Sequence, residues 1–227
     1  MSRPRSRTPL ILAIVLAVVA VAAIAAFAVT RGEDGNDSAE CPVTPPPTED
    51  GNDSASGQIF RNVSVEGDWL VEGVSPDDPC VGVKVPTVEG EDYADNPTAI
   101  APGQDGPMMI VVMAHWCPHC NREVPLLVEW GQSGDVPQNL HVVGVSTAAR
   151  EGTDHFPPGT WLADEMGWTW PVIADDEAQT AALALGTPAY PYLMFVDADG
   201  NLMGRVTGER PIEEIQQFAD ATAATAT

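Results

Sequence analysis

The chain has 227 residues, of which 44% are hydrophobic, and this length accommodates one ordinary domain with appended segments. Its 33 acidic residues outnumber its ten basic residues, and the formal net charge is −23. This charge excludes general nucleic-acid binding and disfavours attraction to anionic lipid headgroups, because both partners are themselves negative.

The first feature along the chain is an uncharged apolar run at residues 10–29. Twenty helical residues at ~1.5 Å each span the ~30 Å hydrocarbon core of a bilayer. Three arginines and no acidic residue precede the run, which predicts a basic cytoplasmic tail at 1–9 and a single transmembrane anchor at 10–30. A cleaved signal peptide is the alternative, because Ala26-Phe27-Ala28 resembles a cleavage site, but the apolar run is longer than the ~7–15 residues of a usual signal-peptide h-region. We therefore expect the rest of the chain to be extracytoplasmic.

A low-complexity tether follows at residues 31–57. It is rich in Gly, Asp, Asn, Ser and Pro, and it is predicted to be disordered because it has almost no large apolar side chain to bury. The heptapeptide EDGNDSA occurs at 33–39 and again at 49–55. The repeat lacks the ligand spacing of an EF-hand, so we interpret it as a self-repelling, extended linker and not as a calcium site.

Globular composition begins at residue 58 and predicts one domain over 58–227, with its core at about 80–222. Short β-prone pieces such as 81–85 come first, and apolar strand-like runs then alternate with helix-like segments. The predicted strands are 108–113, 140–145, 171–174, 192–196 and 202–206, and the predicted helices are 118–131, 160–167, 176–185 and one starting near Pro211. This alternation predicts an α/β sandwich with a mixed sheet.

A C-x-x-C motif, Cys117-Pro118-His119-Cys120, directly follows the first buried strand. Pro118 suits a first helical turn, because its missing N–H would have no partner there. Cys117 is therefore predicted at a helix N-terminus, where unpaired N–H groups and the helix dipole stabilise a thiolate. Cys120, one turn further on, can resolve a mixed disulfide. The motif predicts a redox site.

Two neighbouring side chains are predicted to tune this site. A histidine at His119 favours the reduced form by stabilising negative charge on Cys117, which makes the disulfide a stronger oxidant. Glu123 lies three residues after Cys120 and shares its helix face, so a buried Glu123 could exchange protons with Cys120. A solvated helix residue is the alternative for Glu123. No metal and no cofactor are expected, because the sequence has no second C-x-x-C or H-x-x-H to complete a zinc site.

The ordered motifs between about 80 and 220 resemble the thioredoxin fold, and within it the TlpA/ResA-like group of membrane-anchored extracytoplasmic thiol–disulfide oxidoreductases. The resemblance is carried by Trp116 with the C-x-x-C, by Glu123 and Pro125 in a C-x-x-C-x-x-E-x-P extension, and by the segments Ala189–Tyr192 and Phe195–Gly200. It implies a three-layer sandwich with a mixed central sheet, preceded by the transmembrane helix.

The resemblance also implies roles for single residues. Pro191 is placed in the family's cis-proline loop, where Tyr190 offers backbone groups to a substrate segment. Trp116 and Pro118 join His119 in tuning the cysteine pair, and the Cys-Pro-His-Cys sequence resembles the active site of DsbA. Val111 stands where thioredoxin has a buried aspartate, which assigns the proton-transfer role to Glu123.

Two directions of electron flow follow from these resemblances. A TlpA/ResA-like reductant would take electrons from a membrane thiol partner and reduce exported cysteine-containing proteins such as apocytochrome c, whereas a DsbA-like oxidant would introduce disulfides. We favour reduction, at the cell membrane of a bacterium whose nine arginines against one lysine indicate a GC-rich genome. A copper chaperone is the hypothesis from another class, although copper-delivery relatives of this fold use the longer C-x-x-x-C. The T-x-x-C pattern of a peroxidase is absent.

Two cysteines, Cys41 and Cys80, lie outside the motif. Both are expected outside the membrane, where disulfides persist, and a bond between them would join the end of the tether to the start of the domain. Two free thiols or links to partner chains are the alternatives.

Overall fold

The computed structural model describes residues 41–45, 59–73, 77–104 and 106–226. The predicted anchor at 10–30, and the tether apart from residues 41–45, lie outside these residues. Along the part of the chain that is described, no helix is long and apolar enough to cross a membrane.

Eight strands and four α-helices make up the described fold. The strands are β1 (Ser64–Glu66), β2 (Thr87–Glu91), β3 (Pro97–Ile100), β4 (Met108–Met113), β5 (His141–Ser146), β6 (Val172–Ala174), β7 (Tyr192–Val196) and β8 (Leu202–Thr207). The helices are α1 (Pro118–Ser133), α2 (Pro158–Thr160), which continues into a π-helical turn at Trp161–Met166, α3 (Thr180–Ala184) and α4 (Ile212–Ala223).

The central sheet is mixed and has the strand order β6-β5-β4-β7-β8. Its middle strand β4 pairs in parallel with β5 and antiparallel with β7. A second, antiparallel sheet has the order β1-β2-β3. The predicted α/β sandwich with a mixed sheet is therefore confirmed.

Helices cover both faces of the central sheet, because side chains of a buried strand alternate between its two faces. On β4 the odd-numbered residues Met109, Val111 and Met113 face the core that α1 and α4 complete. The even-numbered residues Met108, Ile110 and Val112 face the core that α3 completes. This alternation explains why the whole of β4 is apolar, and it gives three layers.

Helix α1 begins directly behind β4 and carries the C-x-x-C. Cys117 is its N-cap, Pro118 is its first residue, and Gly134 ends it with φ +84°. A positive φ suits glycine, which has no Cβ to clash. The predicted start of this helix is confirmed.

Two of the sequence-based assignments were wrong. The helix predicted at 176–185 covers only Thr180–Ala184, because the carboxylates of Asp175 and Asp176 accept backbone N–H bonds from residues 180–182 and start the helix there. The β-prone piece 81–85 forms turns and a single bridge from Lys84 to Asn201, because Gly82 has φ +84° and interrupts the extended chain.

The N-terminal residues of the described chain are joined to the rest of the domain by a disulfide and a β-bridge. A disulfide joins Cys41 to Cys80, and Val43 pairs with Trp69 in an antiparallel bridge. Two residues before Cys80, the buried carboxylate of Asp78 accepts two hydrogen bonds from the buried guanidinium of Arg205 on β8, at 2.5 and 2.9 Å.

Candidate active site

Cys117 lies at the N-terminal end of α1 and is 5% exposed. Its Sγ lies 3.5 Å from the carbonyl oxygen of Tyr190, to which the thiol can donate. No acidic residue lies in the first turn of α1, and the side chain of the N-cap residue Cys117 makes no capping hydrogen bond. The helix dipole therefore acts at Cys117 without a competing carboxylate in that turn, and a helix N-terminus is where negative charge on an attacking sulfur is stabilised.

Cys120 is fully buried one turn further along α1, and both cysteines are in the reduced state. Burial raises the pKa of the Cys120 thiol, and the neighbouring Cys117 and Glu123 raise it further when they are charged. A thiol that stays protonated is a poor nucleophile. The geometry thus separates an attacking cysteine, Cys117, from a resolving cysteine, Cys120.

Glu123 is buried on the same helix, with 1% of its surface exposed. Its Oε1 accepts a hydrogen bond of 2.8 Å from the backbone N–H of Arg210, and its Oε2 has no partner among the described residues. Burial raises the pKa of this carboxyl to about 7, against the effect of the Arg210 N–H bond. Glu123 is therefore not a solvated helix residue, and it can gain or lose a proton near neutral pH.

The loop before β7 faces the cysteine pair. The peptide bond between Tyr190 and Pro191 is cis, as the resemblance implied. The Tyr190 hydroxyl donates to Gln179 Oε1 at 3.0 Å, and the backbone of Gly208 donates to the Pro191 carbonyl at 2.9 Å. These bonds hold the Tyr190 carbonyl beside Cys117.

Trp116 forms one wall next to Cys117. Its Nε1 donates to the Ala148 carbonyl at 2.7 Å, and its ring meets the Tyr190 ring edge-on at a centroid distance of 6.2 Å. The exposed Arg150 places its guanidinium carbon 3.9 Å from the centroid of the tryptophan ring, which is a cation–π contact. Arg150 was not identified from the sequence, and no local pattern marks it.

His119 is exposed beside the motif, and its imidazole faces a carboxylate. Its Nδ1 lies 2.5 Å from Glu209 Oε1, and 57% of its side chain is exposed. The guanidinium of Arg122 donates to both oxygens of the same carboxylate. Hydrogen bonds from Arg122 and His119 lower the pKa of Glu209 to about 2. Neither Arg122 nor Glu209 was identified from the sequence, because 87 residues separate them.

A partly buried amide supports the turn that carries Cys117. The side chain of Asn121 donates to the carbonyls of His115 and Cys117 at 2.8 and 2.9 Å, and its oxygen accepts from Trp161 Nε1 at 2.7 Å. His115 is itself fully buried, and its Nε2 lies 3.1 Å from Thr153 Oγ1. Burial lowers the pKa of this histidine.

No third metal ligand converges on the cysteine pair in the described part of the chain. His115 Nε2 faces Thr153 and His119 Nδ1 faces Glu209, and among the described residues no three His, Cys, Asp or Glu side chains could hold one ion. The observed contacts therefore give the copper hypothesis no support.

Comparison with known proteins agrees with this fold. The model of the AhpC/TSA family matches residues 81–205. A DsbF homologue from Corynebacterium diphtheriae is 20% identical, with a TM-score of 0.53 over 66% of this chain and 98% of that chain. A thiol:disulfide interchange protein of the thioredoxin family from Chlorobium tepidum is 19% identical, with a TM-score of 0.50 over 62% of this chain and 95% of that chain. No curated protein matches the chain. At these identities the similarity shows the fold, and the predicted thioredoxin-like fold is confirmed.

Proposed function

The chain belongs to the AhpC/TSA family, and from this membership and the geometry of its cysteine pair we propose that it is a thiol–disulfide oxidoreductase. One observation carries the proposal. A reduced Cys117 lies at a helix N-terminus beside the Tyr190 carbonyl, with Cys120 and the proton-exchanging Glu123 buried behind it.

The reaction is a two-step disulfide exchange. The Cys117 thiolate attacks a substrate disulfide, so that a Cys117–substrate bond forms, the substrate bond breaks and one substrate sulfur leaves as a thiolate that takes a proton from solvent. Cys120 then gives its proton to the Glu123 carboxylate and attacks Cys117 Sγ, and the second substrate sulfur leaves as a thiolate that takes up that proton. The substrate gains two electrons and two protons, and the protein becomes the Cys117–Cys120 disulfide.

The walls of the site favour an extended polypeptide as substrate. The backbone of Tyr190 beside Cys117 can pair with an extended segment, as in strand addition. The ring of Trp116 and the exposed Pro118 flank the same opening with apolar surface. Exported proteins that contain cysteine are the substrates we propose.

The proposed setting is the outer face of a bacterial cell membrane. An anchor at 10–30 and the segment 31–57, of which residues 41–45 are bound to the domain, would hold the domain there, and the disulfide between Cys41 and Cys80 suits an oxidising compartment. A membrane thiol or electron-transfer partner would restore the reduced state, and apocytochrome c is one substrate class for such a reductant.

Reduction is the favoured direction because the His119 imidazole contacts a carboxylate. Its Nδ1 contacts Glu209, which limits the stabilisation that a histidine would otherwise give to the thiolate. A disulfide-forming oxidant is the second candidate, supported by the Cys-Pro-His-Cys sequence itself.

The test is the reduction potential of the Cys117–Cys120 pair in the full-length chain, equilibrated against glutathione buffers. We expect a value near that of thioredoxin, about −270 mV, whereas a value near that of DsbA, about −120 mV, would make the protein an oxidant. A pair that forms no reversible disulfide would reject the proposed activity. In the same assay, Cys120→Ser should accumulate a mixed disulfide on Cys117.

A further inference from the structure

The loop that joins β8 to α4 is bound to the first turns of α1 at two points. Outside, the Glu209 carboxylate contacts His119 and Arg122, both on the exposed side of α1. Inside, the next residue, Arg210, donates its backbone N–H to the buried carboxylate of Glu123. One short loop therefore contacts the histidine and the arginine beside the nucleophile and also the buried carboxylate behind it.

Glu209 is the anionic side chain of a three-group network. Arg122 donates from Nε to both of its oxygens, at 3.0 and 3.1 Å, and Nη2 adds a further contact to Oε1. Isolated exposed ion pairs contribute little, but a guanidinium that binds both carboxylate oxygens within a network is the favourable exception. The low pKa of Glu209 keeps it charged at any pH at which the protein works.

The two side chains that Glu209 binds lie close to the nucleophile. His119 is the second residue after Cys117, Arg122 follows in the next turn of α1, and Arg122 Nη2 also lies 2.9 Å from His119 Nδ1. The pKa of the exposed Arg122 is raised first by its hydrogen bond to Glu209 and less by a charged Cys117. Positive charge near that sulfur stabilises the thiolate and hence the reduced form, and this makes the disulfide more oxidising. A carboxylate bound to the guanidinium and the imidazole reduces this effect.

We propose that Glu209 is a positioning residue that keeps the cysteine pair reducing by binding His119 and Arg122 and offsetting positive charge beside Cys117. This inference rests on the proposed function, since it concerns the reduction potential of the same Cys117–Cys120 pair. It explains how a Cys-Pro-His-Cys sequence can belong to a reductant, because the carboxylate that offsets the histidine comes from another part of the chain.

The test compares the Glu209→Gln variant with the full-length wild-type protein, both equilibrated with reduced and oxidised glutathione at pH 7. In this equilibrium two glutathione thiols reduce the Cys117–Cys120 bond, and two electrons and two protons pass to the protein as glutathione disulfide forms. We expect the ratio of reduced to oxidised protein to rise about three- to tenfold at fixed buffer, the scale of one or two exposed charge pairs. Because a tenfold change is about 30 mV, the couple becomes more oxidising by about 15–30 mV.

Three matched variants separate this effect from damage to the fold. Glu209→Asp keeps the charge and should restore the original ratio, while Glu213→Gln removes an equal charge from the exposed first turn of α4 and should change nothing. In a His119→Gln background, Glu209→Gln should shift the ratio by less, because one of the two side chains that Glu209 binds is gone.

The outcomes distinguish a failure of the role proposed for Glu209 from a failure of the proposed function. An unchanged ratio in Glu209→Gln, or an equal shift in Glu213→Gln, would overturn the role of Glu209 while the disulfide couple itself stands. If the unchanged chain forms no reversible Cys117–Cys120 disulfide, the proposed function fails first. A larger thiolate fraction in Glu209→Gln should also appear as faster alkylation of Cys117 by iodoacetamide, a readout that does not depend on glutathione.

Discussion

The protein has two cysteine pairs outside its N-terminal segment, and their surroundings give them opposite chemistry. Cys117 and Cys120 are reduced, at a helix N-terminus and beside a buried carboxyl that titrates near neutral pH. Cys41 and Cys80 are joined across 39 residues, outside any helix and beside the buried ion pair of Asp78 and Arg205. A helix dipole that stabilises the thiolate and a nearby proton acceptor favour a reversible disulfide between Cys117 and Cys120. The Cys41–Cys80 disulfide has neither, which favours a permanent structural bond.

The largest expected effect is on catalytic activity, which should depend on the Cys117–Cys120 pair and not on the Cys41–Cys80 pair. Cys117→Ser should reduce disulfide exchange to the uncatalysed level, because a hydroxyl at the helix N-terminus is not ionised and cannot attack a disulfide. The measurement is the reduction of insulin disulfides by the full-length chain with a chemical reductant. The double variant Cys41→Ser/Cys80→Ser should keep the exchange rate, and a comparable loss there would contradict the division into catalytic and structural pairs.

The same double variant should differ in stability. Removing a cross-link that closes a loop of 39 residues should lower the free energy of unfolding by about 3–4 kcal/mol, through the larger entropy of the unfolded chain. Denaturant titration of the unchanged and double-variant chains measures this difference. Free alkylation of Cys41 and Cys80 in the unreduced protein would remove the basis of this prediction.

The third prediction concerns the buried Glu123 carboxyl, which lies near the catalytic cysteine pair and not near the structural one. Glu123→Gln should slow exchange near pH 7 by about tenfold to a hundredfold, since a positioned acid–base group commonly contributes that much or more. The rate of the unchanged chain should rise with pH as the carboxyl, whose pKa is about 7, ionises, and the variant should lose this rise. Glu129→Gln, an exposed glutamate on the same helix, is the matched control.

The raised pKa of Glu123 also predicts how stability changes with pH. Folding favours the protonated form, so the contribution of this group is complete below its ordinary pKa of 4.5 and is lost as pH rises through about 7. Glu123→Gln should remove this part of the decline between about pH 4.5 and 7. Asp175, whose burial raises its pKa to about 6, should still cause a decline in both proteins at the lower end of the range.

Local sequence predicted the elements in which neighbouring residues decide the structure. Strands β4 and β7 were assigned at their observed bounds, since both are short apolar runs buried on two faces. The start of α1 follows from Pro118, and the spacing of Glu123 from Cys120 placed the carboxyl on the buried face. The late start of α3 was missed because two aspartate side chains, rather than helix propensity, set it.

Contacts between distant parts of the chain could not be predicted in this way. Glu209 reaches Arg122 across 87 residues, and Arg150 contacts Trp116 although α1 and β5 lie between them in the chain. The antiparallel strands β1–β3 are short, and their sequences show little alternation of apolar and polar residues. The cysteines and their near neighbours His119 and Glu123 were therefore predictable from the sequence, whereas the contacts of Arg122, Glu209 and Arg150 were not.

The smallest expected effect concerns the wall beside Cys117. Arg150→Gln should lower the free energy of unfolding by about 0.5–1 kcal/mol, the usual contribution of an exposed cation–π contact. Arg150→Lys keeps a cation over the ring and should lose less. Because the cation sits over Trp116 and not over the sulfur, exchange should change by less than about threefold, within the range of an exposed charge. A loss of activity as large as that of Glu123→Gln would instead assign Arg150 to the catalytic pair and extend the tuning charges to both sides of Cys117.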